Sequence, residues 1–291
     1  MKNRAPLYAA LVATTMVWGG SFVAIKQALR FLTPLQLVWM RFAPSALLFA
    51  MLLAWREHET VRRLLRCEWR SLCLMGLFSV ITYHLALNTG EQLIPAGTAS
   101  LIIALNPACV FLLSALFLRE RVTWLQVMGL GLAFVGLFVI VRFANGQQVN
   151  LGYLRGVLIT SIAPLSWAAY TVLCRPLAQR YSPLAVTGTA NVLGTLPVLV
   201  TANADLFRRA AAMPWQAWAA VAFLSLACTV AGFTLWNLAL RQLEASRAGG
   251  FVYLSPMWGV VFSHLILAEP LNWSLLVGAA VVIGGVALVN R

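Results

Sequence analysis

Apolar residues run along the chain in long blocks with short polar interruptions. The blocks lie over roughly residues 7–28, 35–55, 71–90, 94–118, 122–141, 151–174, 184–203, 215–240, 245–267 and 272–290. About 20 apolar residues carry a helix across the hydrocarbon of a bilayer, and the blocks have that length. The pattern predicts an all-α integral membrane protein with ten transmembrane helices. Proline and polar residues separate the blocks, as at Thr33-Pro34, Ser182-Pro183 and Glu269-Pro270. The first block follows Lys2 and Arg4. It is too long for the core of a signal peptide and has no convincing cleavage site, so it reads as the first span.

Composition narrows the classes. Of 291 residues, 61% are hydrophobic and 10% charged, where soluble proteins hold about half and about a quarter. A soluble enzyme, a disordered chain and a disulfide scaffold are excluded, and no polar stretch is long enough to fold an ATPase. The net charge of +13 would suit nucleic acid, but the basic residues flank the apolar blocks. Fourteen fall on one set of ends and loops: Lys2, Arg4, Arg56, Arg62, Arg63, Arg66, Arg70, Arg119, Arg121, Arg175, Arg180, Arg241, Arg247 and Arg291. Six fall on the other: Lys26, Arg30, Arg142, Arg155, Arg208 and Arg209; Arg41 lies inside the second block. The positive-inside rule then puts both termini in the cytoplasm of a multi-pass inner (plasma) membrane protein. The partners to expect are the lipid bilayer and a small-molecule substrate, not nucleic acid. The stretch Trp55–Arg70 is expected at the cytoplasmic surface, against anionic lipid.

No cofactor or metal is expected. Cys67, Cys73, Cys109, Cys174 and Cys228 form no C-x-x-C pair and read as small hydrophobes. H-E-x-x-H and Walker A motifs are missing from the sequence. Asp205 is the only aspartate, which excludes an aspartyl pair. Gly19-Gly20-Ser21 loosely matches a serine nucleophile motif, but no histidine is placed on a partner span. An intramembrane enzyme and a membrane sensor are the minor alternatives.

The chain also repeats at a shift of 149 residues. Trp18 falls on Trp167, Lys26 on Arg175, Pro34 on Pro183, Asn88 on Asn237 and Pro107 on Pro256. Glu120 falls on Glu269, Trp124 on Trp273, Gly129 on Gly278 and Gly136 on Gly285. Each half, 1–145 and 146–291, would hold five spans. An odd number makes the second half enter from the opposite side, the inverted repeat of many secondary transporters.

These residues resemble a known family. Val17-Trp18-Gly19-Gly20-Ser21-Phe22, Pro34, Arg41-Phe42, Leu105-Asn106-Pro107 and Leu118-Arg119-Glu120-Arg121 stand in order in the first half. Leu254-Ser255-Pro256, Glu269-Pro270 and the stretch Gly278 to Gly285 answer them in the second. The chain is similar to EamA-type members of the drug/metabolite transporter superfamily. The resemblance implies ten helices, with one to four and six to nine around a central cavity and five and ten bracing the outside. It implies export of amino acids or related metabolites, with multidrug or lipophilic compound export as the alternative. The first block lacks the membrane-embedded glutamate of the small multidrug exporters, and the ninth lacks the deep basic residues of sugar-phosphate carriers.

Polar and aromatic residues inside the blocks are the candidates for a substrate path. Trp18 and Trp167 could stack on a solute or wall its cavity, or pack against neighbours. Gly19, Gly20 and Ser21 permit close helix approach or local unwinding. Tyr83, His84, Asn88, Asn106, Tyr170, Trp236, Asn237 and Tyr253 offer donors, acceptors and rings. His84 could titrate near neutral pH and couple a proton. Arg41 could attract a carboxylate, or snorkel or bond neighbouring carbonyls. Pro107 and Pro256 are expected inside their spans as hinges or static kinks, freeing the carbonyls of Ile103 and Val252. Glu120 and Glu269 are expected to cap the helix that follows each. Glu91 is expected in a solvated connection, and the Gly-rich fifth and tenth spans offer a surface for a homodimer.

Overall fold

The computed structural model describes residues 5–117, 123–143, 151–235, 251 and 254–289. Among them the regular structure is helical throughout. The first half holds α1 (Ala5–Ala28), α2 (Pro34–Arg56), α3 (His58–Cys67), α4 (Trp69–Gly76), α5 (Tyr83–Leu93), α6 (Ala96–Ile103), α7 (Asn106–Phe117) and α8 (Trp124–Phe143). The second holds α9 (Leu151–Arg180), α10 (Pro183–Leu199), α11 (Ala204–Ala211), α12 (Trp215–Ala222), α13 (Leu254–Leu267) and α14 (Trp273–Val289). Six stretches are long and apolar enough to cross a membrane: Tyr8–Ala28, Pro34–Arg56, Trp69–Leu93, Ala96–Phe117, Leu151–Arg180 and Trp215–Leu235. Trp124–Ile140, Leu254–Leu267 and Trp273–Leu288 are shorter apolar helices. The chain is an all-helical, multi-pass membrane protein.

Local sequence explains where several helices start. Thr33 and Gln36 form a reciprocal capping box at α2, with Pro34 in the first turn. The same pair of residue types, Thr123 and Gln126, caps α8. The block expected over 184–203 is not one straight helix. It ends at Leu199, and the chain turns by 103° into α11. Asn203 caps α11 by accepting the Leu206 N–H at 2.9 Å, and its arginines Arg208 and Arg209 point away from buried Leu206 and Ala210. The polar stretch 55–70 likewise folds as a helix, α3, with only Leu64 buried.

Small residues set the helix contacts, as lipid-embedded packing requires. Gly76 on α4 and Gly194 on α10 bring two backbones together; a Cβ on either would lie 2.5–2.6 Å from the backbone of the other helix. α8 packs along α14. A Cβ on Gly136 would lie 2.6 Å from the Val282 nitrogen, and one on Gly278 2.4 Å from the Ile140 side chain. Gly136, Gly278 and Gly285 are thus used between α8 and α14, whereas Gly131 and Gly284 have nothing within 4 Å of a Cβ. The outer faces of these helices keep large apolar residues exposed, Phe134, Phe138, Trp124 and Trp273 among them, as a lipid boundary requires.

Two tests follow from this packing. Gly136→Ala is expected to destabilise by about 1–3 kcal/mol, because a main-chain nitrogen cannot yield as a side chain can. Gly131→Ala, with nothing within 4 Å of its Cβ, is expected to be neutral or stabilising by about 0.4–1 kcal/mol; unfolding in detergent micelles compares them. The second concerns Asp205, which accepts from Arg209, Arg208 and Gln36. Those bonds hold its carboxyl down at about 2, below the ordinary 3.8. Its folded value is depressed, so its contribution is complete above 3.8 and lost as pH falls through about 2. Thermal unfolding of wild type and Asp205→Asn should differ equally at all pH values above that window and converge below it.

Candidate substrate site between the two halves

The site is built where two spans leave α geometry. Leu77–Thr82 joins α4 to α5 as a π-helical segment, and Phe223–Ala231 extends α12 in the same way. The 149-residue shift carries 77–82 onto 226–231, so the two irregular segments occupy equivalent places in the halves. Wider π turns release carbonyls and are frequent at functional sites. Inside a membrane those carbonyls need protein donors. Ser166 Oγ on α9 donates to the Phe78 carbonyl at 2.8 Å. Trp18 Nε1 on α1 donates to the Cys228 carbonyl at 3.0 Å. Ser45 Oγ on α2 reaches the Ser225 carbonyl at 3.1 Å. In each case the donor comes from the other half of the chain.

These bonds bring the aromatic residues together. Trp18 and Trp167, equivalent in the two halves, both pack on Phe233, with ring centroids 6.1 and 6.5 Å away. Trp167 also meets Tyr83 at 5.8 Å and Tyr170 at 5.1 Å. Tyr83 meets His84 at 4.8 Å, and His84 meets Phe42 at 4.7 Å. A continuous aromatic wall thus crosses from α1 to α9 by way of the two irregular helices. Tyr170 is anchored by its hydroxyl, 3.3 Å from Thr187 Oγ1. Tyr83 interacts with the Asn106 side chain at the start of α7, and Asn106 Oδ1 has no partner among the described residues.

Arg41 does not snorkel to the surface. It is 7% exposed, and its Nε donates to Thr229 Oγ1 at 3.1 Å. Thr229 Oγ1 in turn donates to the Leu224 carbonyl at 2.9 Å. Arg41 therefore keeps a cation beside the second irregular segment, with its guanidinium 5.3 Å from the Phe42 ring centroid. Asn88 lies on α5 below this level and donates through Nδ2 to the Pro34 carbonyl at 3.3 Å.

One end of the bundle is tied by charges at helix termini. Lys26 Nζ donates to the main-chain oxygens of Glu91 and Ile94, the latter at 2.7 Å, at the C-terminus of α5. Glu269 accepts the Ala96 N–H at 2.8 Å and the Gly97 N–H at 3.0 Å, at the N-terminus of α6. A cation at a helix C-terminus and an anion at an N-terminus are each favoured by the helix dipole. Ala268, at φ 55°, turns the chain sharply so that Glu269 can reach across.

Several expectations change here. Glu269 caps α6 in the other half, not the helix that follows it; Glu120 lies outside the described residues. Glu91 is fully buried, not solvated, because α5 runs on to Leu93. Pro107 is not an interior kink. The chain breaks at Ala104–Leu105, and α7 starts at Asn106, so Pro107 sits in a first turn where its missing N–H is harmless. Pro256 lies on α13, and its carbonyl accepts from Ser100 Oγ at 3.3 Å; Val252, whose carbonyl it was expected to free, lies outside the described residues. The structure groups Trp18, Tyr83, His84, Trp167, Tyr170, Arg41 and Asn106 around the irregular segments. Trp236, Asn237 and Tyr253 lie outside the described residues. Phe233 and Thr229 were not singled out from sequence, and Lys26 and Phe42 were read there as repeat and family residues rather than as site residues. Phe233 could have been found, since the repeat pairs it with His84.

A helical bundle with broken spans and a polar, aromatic interior between two halves has the architecture of a solute carrier. The chain belongs to the EamA-like transporter family, whose pattern matches twice, over residues 5–142 and 154–291. An uncharacterized transporter of Archaeoglobus fulgidus is 32% identical over 97% of this chain and 97% of its own length. A probable terminal-alkyne amino-acid exporter of Streptantibioticus cattleyicolor is 32% identical over 97% and 92%. A probable amino-acid metabolite efflux pump of Salmonella typhimurium is 25% identical over 93% and 90%. A solved crystal structure matches with a TM-score of 0.64 at 17% identity, covering 98% of this chain and 96% of that one; that likeness concerns the fold.

The cross-half cap has a measurable consequence. Glu269→Ala is expected to destabilise by about 1–2 kcal/mol through loss of two charge-assisted bonds, and Glu269→Gln by less. Equal stability of Glu269→Ala and wild type in detergent unfolding would remove the cap from this account.

Proposed function

We propose that the protein is a secondary transporter that exports amino acids or related small metabolites across the inner membrane by alternating access, without ATP. It has ten spans in two inverted five-helix halves, with both termini cytoplasmic. The observation that carries this reading is the convergence of Trp18 and Trp167 on Phe233, beside π segments at equivalent positions. Related tryptophans meeting between halves are what a fold needs if one half rocks against the other about a fixed site. Named relatives that export amino acids support the cargo class. The paired charges of an amino acid have complements here: Arg41 for its carboxylate, and Asn106 Oδ1 with the aromatic faces for its ammonium. The aromatic wall accepts the side chain. Pro107, just after the break at Ala104–Leu105, and Pro256, its equivalent in the second half, serve as the hinges.

Flux in proteoliposomes tests the assignment. Wild type should move neutral amino acids, propargylglycine among them as a terminal-alkyne probe. Trp167→Ala should lower that flux by roughly tenfold or more, and Arg41→Met should raise the half-saturating concentration for a carboxylate-bearing cargo. Gly131→Ala serves as the folded control. Flux of lipophilic cations with none of any amino acid would move the protein to compound efflux. Retention of full flux in Trp167→Ala would remove the aromatic wall from the site.

A further inference from the structure

His84, Asn88 and Glu91 stand at i, i+4 and i+7 on α5, so they share one face over two turns. All three are buried, at 9, 2 and 0% exposure. Each keeps atoms without a hydrogen-bond partner among the described residues: His84 Nδ1, Asn88 Oδ1 and both carboxyl oxygens of Glu91. Buried polar atoms in proteins are nearly always paired, and an unpartnered carboxyl in a membrane interior is costly. Three such groups in one column run from the tied end of the bundle to the aromatic site, where His84 packs on Tyr83 and Phe42.

Packing does not require Glu91 or His84. The shift of 149 puts Leu240 at the place equivalent to Glu91 and Phe233 at that of His84. Nor do the neighbouring charges use the carboxyl. Lys26 on α1 donates to the Glu91 main chain and to Ile94. Glu269 has both oxygens on the Ala96 and Gly97 amides. Arg41 on α2 is bonded to Thr229, yet Lys26, the Glu269 carboxylate and Arg41 all act on Glu91 electrostatically. α9 packs Gly156 and Thr160 against Gly90 and carries Tyr153 one turn further along. α6 and the π segment before α5 contain no titratable residue. Glu91 is thus an acid whose carboxyl has no hydrogen-bond partner among the described residues, with two cations and the Glu269 carboxylate acting on it and His84 two turns away on its own face.

The geometry points to Glu91 as the proton-binding group of the transporter, with Asn88 and His84 as the polar path that joins it to the aromatic site. The inference rests on the transporter reading and names its driving ion. When the Glu269 end opens, the Glu91 carboxylate takes a proton from external water, forming one O–H bond. Closure carries the neutral acid into the dry interior. When the other end opens, the proton leaves Glu91 for water seated against Asn88 Oδ1 and His84 Nδ1, and passes to the inner solution. The carboxylate that remains has Lys26 beside it. One proton enters for each solute expelled, and nothing is oxidised or reduced.

Two measurements test this on the full chain in lipid. Infrared spectra of wild type minus Glu91→Gln should contain the C=O stretch of a protonated carboxylic acid, and that band should vanish as the pH is raised. No such band at any pH at which the chain stays folded overturns the proposal, whatever the flux. In proteoliposomes loaded with propargylglycine, an inward proton gradient should drive efflux by wild type. Glu91→Gln should lose roughly tenfold or more of that driven flux and keep gradient-independent counterflow within about twofold. Glu91→Asp should keep the gradient response with a displaced pH profile, and it carries the test should the Gln variant fail to fold. Equal gradient response in wild type and Glu91→Gln overturns the proposal. A wild type that moves no amino acid defeats the cargo reading alone, because the infrared titration still decides the state of Glu91.

Discussion

Hydrocarbon offers no partner to a free carbonyl, so irregular backbone survives inside a bundle only where protein donors reach it. The rest of the structure is arranged around that constraint at two places, Leu77–Thr82 and Phe223–Ala231. Ser166 and Trp18 each donate to a carbonyl in an irregular segment of the opposite half, and Ser45 Oγ, also 2.7 Å from the Arg41 carbonyl, lies 3.1 Å from a third. A satisfied bond of this kind contributes about 0.5–1.5 kcal/mol net, while a buried acceptor left unmade costs about 1–3. The asymmetry explains why the crossings are obligatory. Neither irregular segment is viable in its own half alone, and meeting the need brings Trp18, Trp167 and the residues after each π segment into one wall.

Charges at helix ends act on the same principle at the margin of the bundle. The turn between α5 and α6 holds a helix C-terminus and a helix N-terminus a few residues apart. Lys26 answers the first and Glu269 the second. Each contact is favoured by the dipole it meets, by about 0.3–1 kcal/mol at a surface and up to about 2 when partly buried. Energies of that size can hold an end shut and can be released by solute binding. The repeat supplies Arg175 and Glu120 at the places equivalent to Lys26 and Glu269. On the transporter reading, the same charge types are therefore available to shut the opposite end.

Much of this was legible in the residues and some was not, for physical reasons. Apolar blocks about 20 residues long have no stable home but lipid, so the helices could be read directly. Trp18 and Trp167 were legible because an offset of 149 pairs them. The π segments were not, because no residue type marks them. Glu91 was misplaced by a three-residue error in where α5 ends; whether a carboxyl is solvated depends on that last turn. Glu269 was read as a local cap because sequence shows only the helix that follows, and the amides it accepts from lie 172–173 residues away. The turn into α11 was hidden by Val200, Thr201 and Ala202, which are apolar enough to continue a span.

The duplication also shows where to look for direction. Two identical inverted halves would give two end states related by symmetry and equal in energy, apart from the asymmetry of the membrane itself. A ligand or ion biases such a pair only by binding one state better. The tryptophans, the prolines and the π segments are matched, so they serve the interconversion without favouring either state. Among the unmatched residues of the site are Arg41 against Ala190, His84 against Phe233 and Glu91 against Leu240. All three belong to the first half, all are buried, and all carry ionisable groups. Chemistry that distinguishes the two faces of the membrane must reside in such positions, because the matched ones cancel.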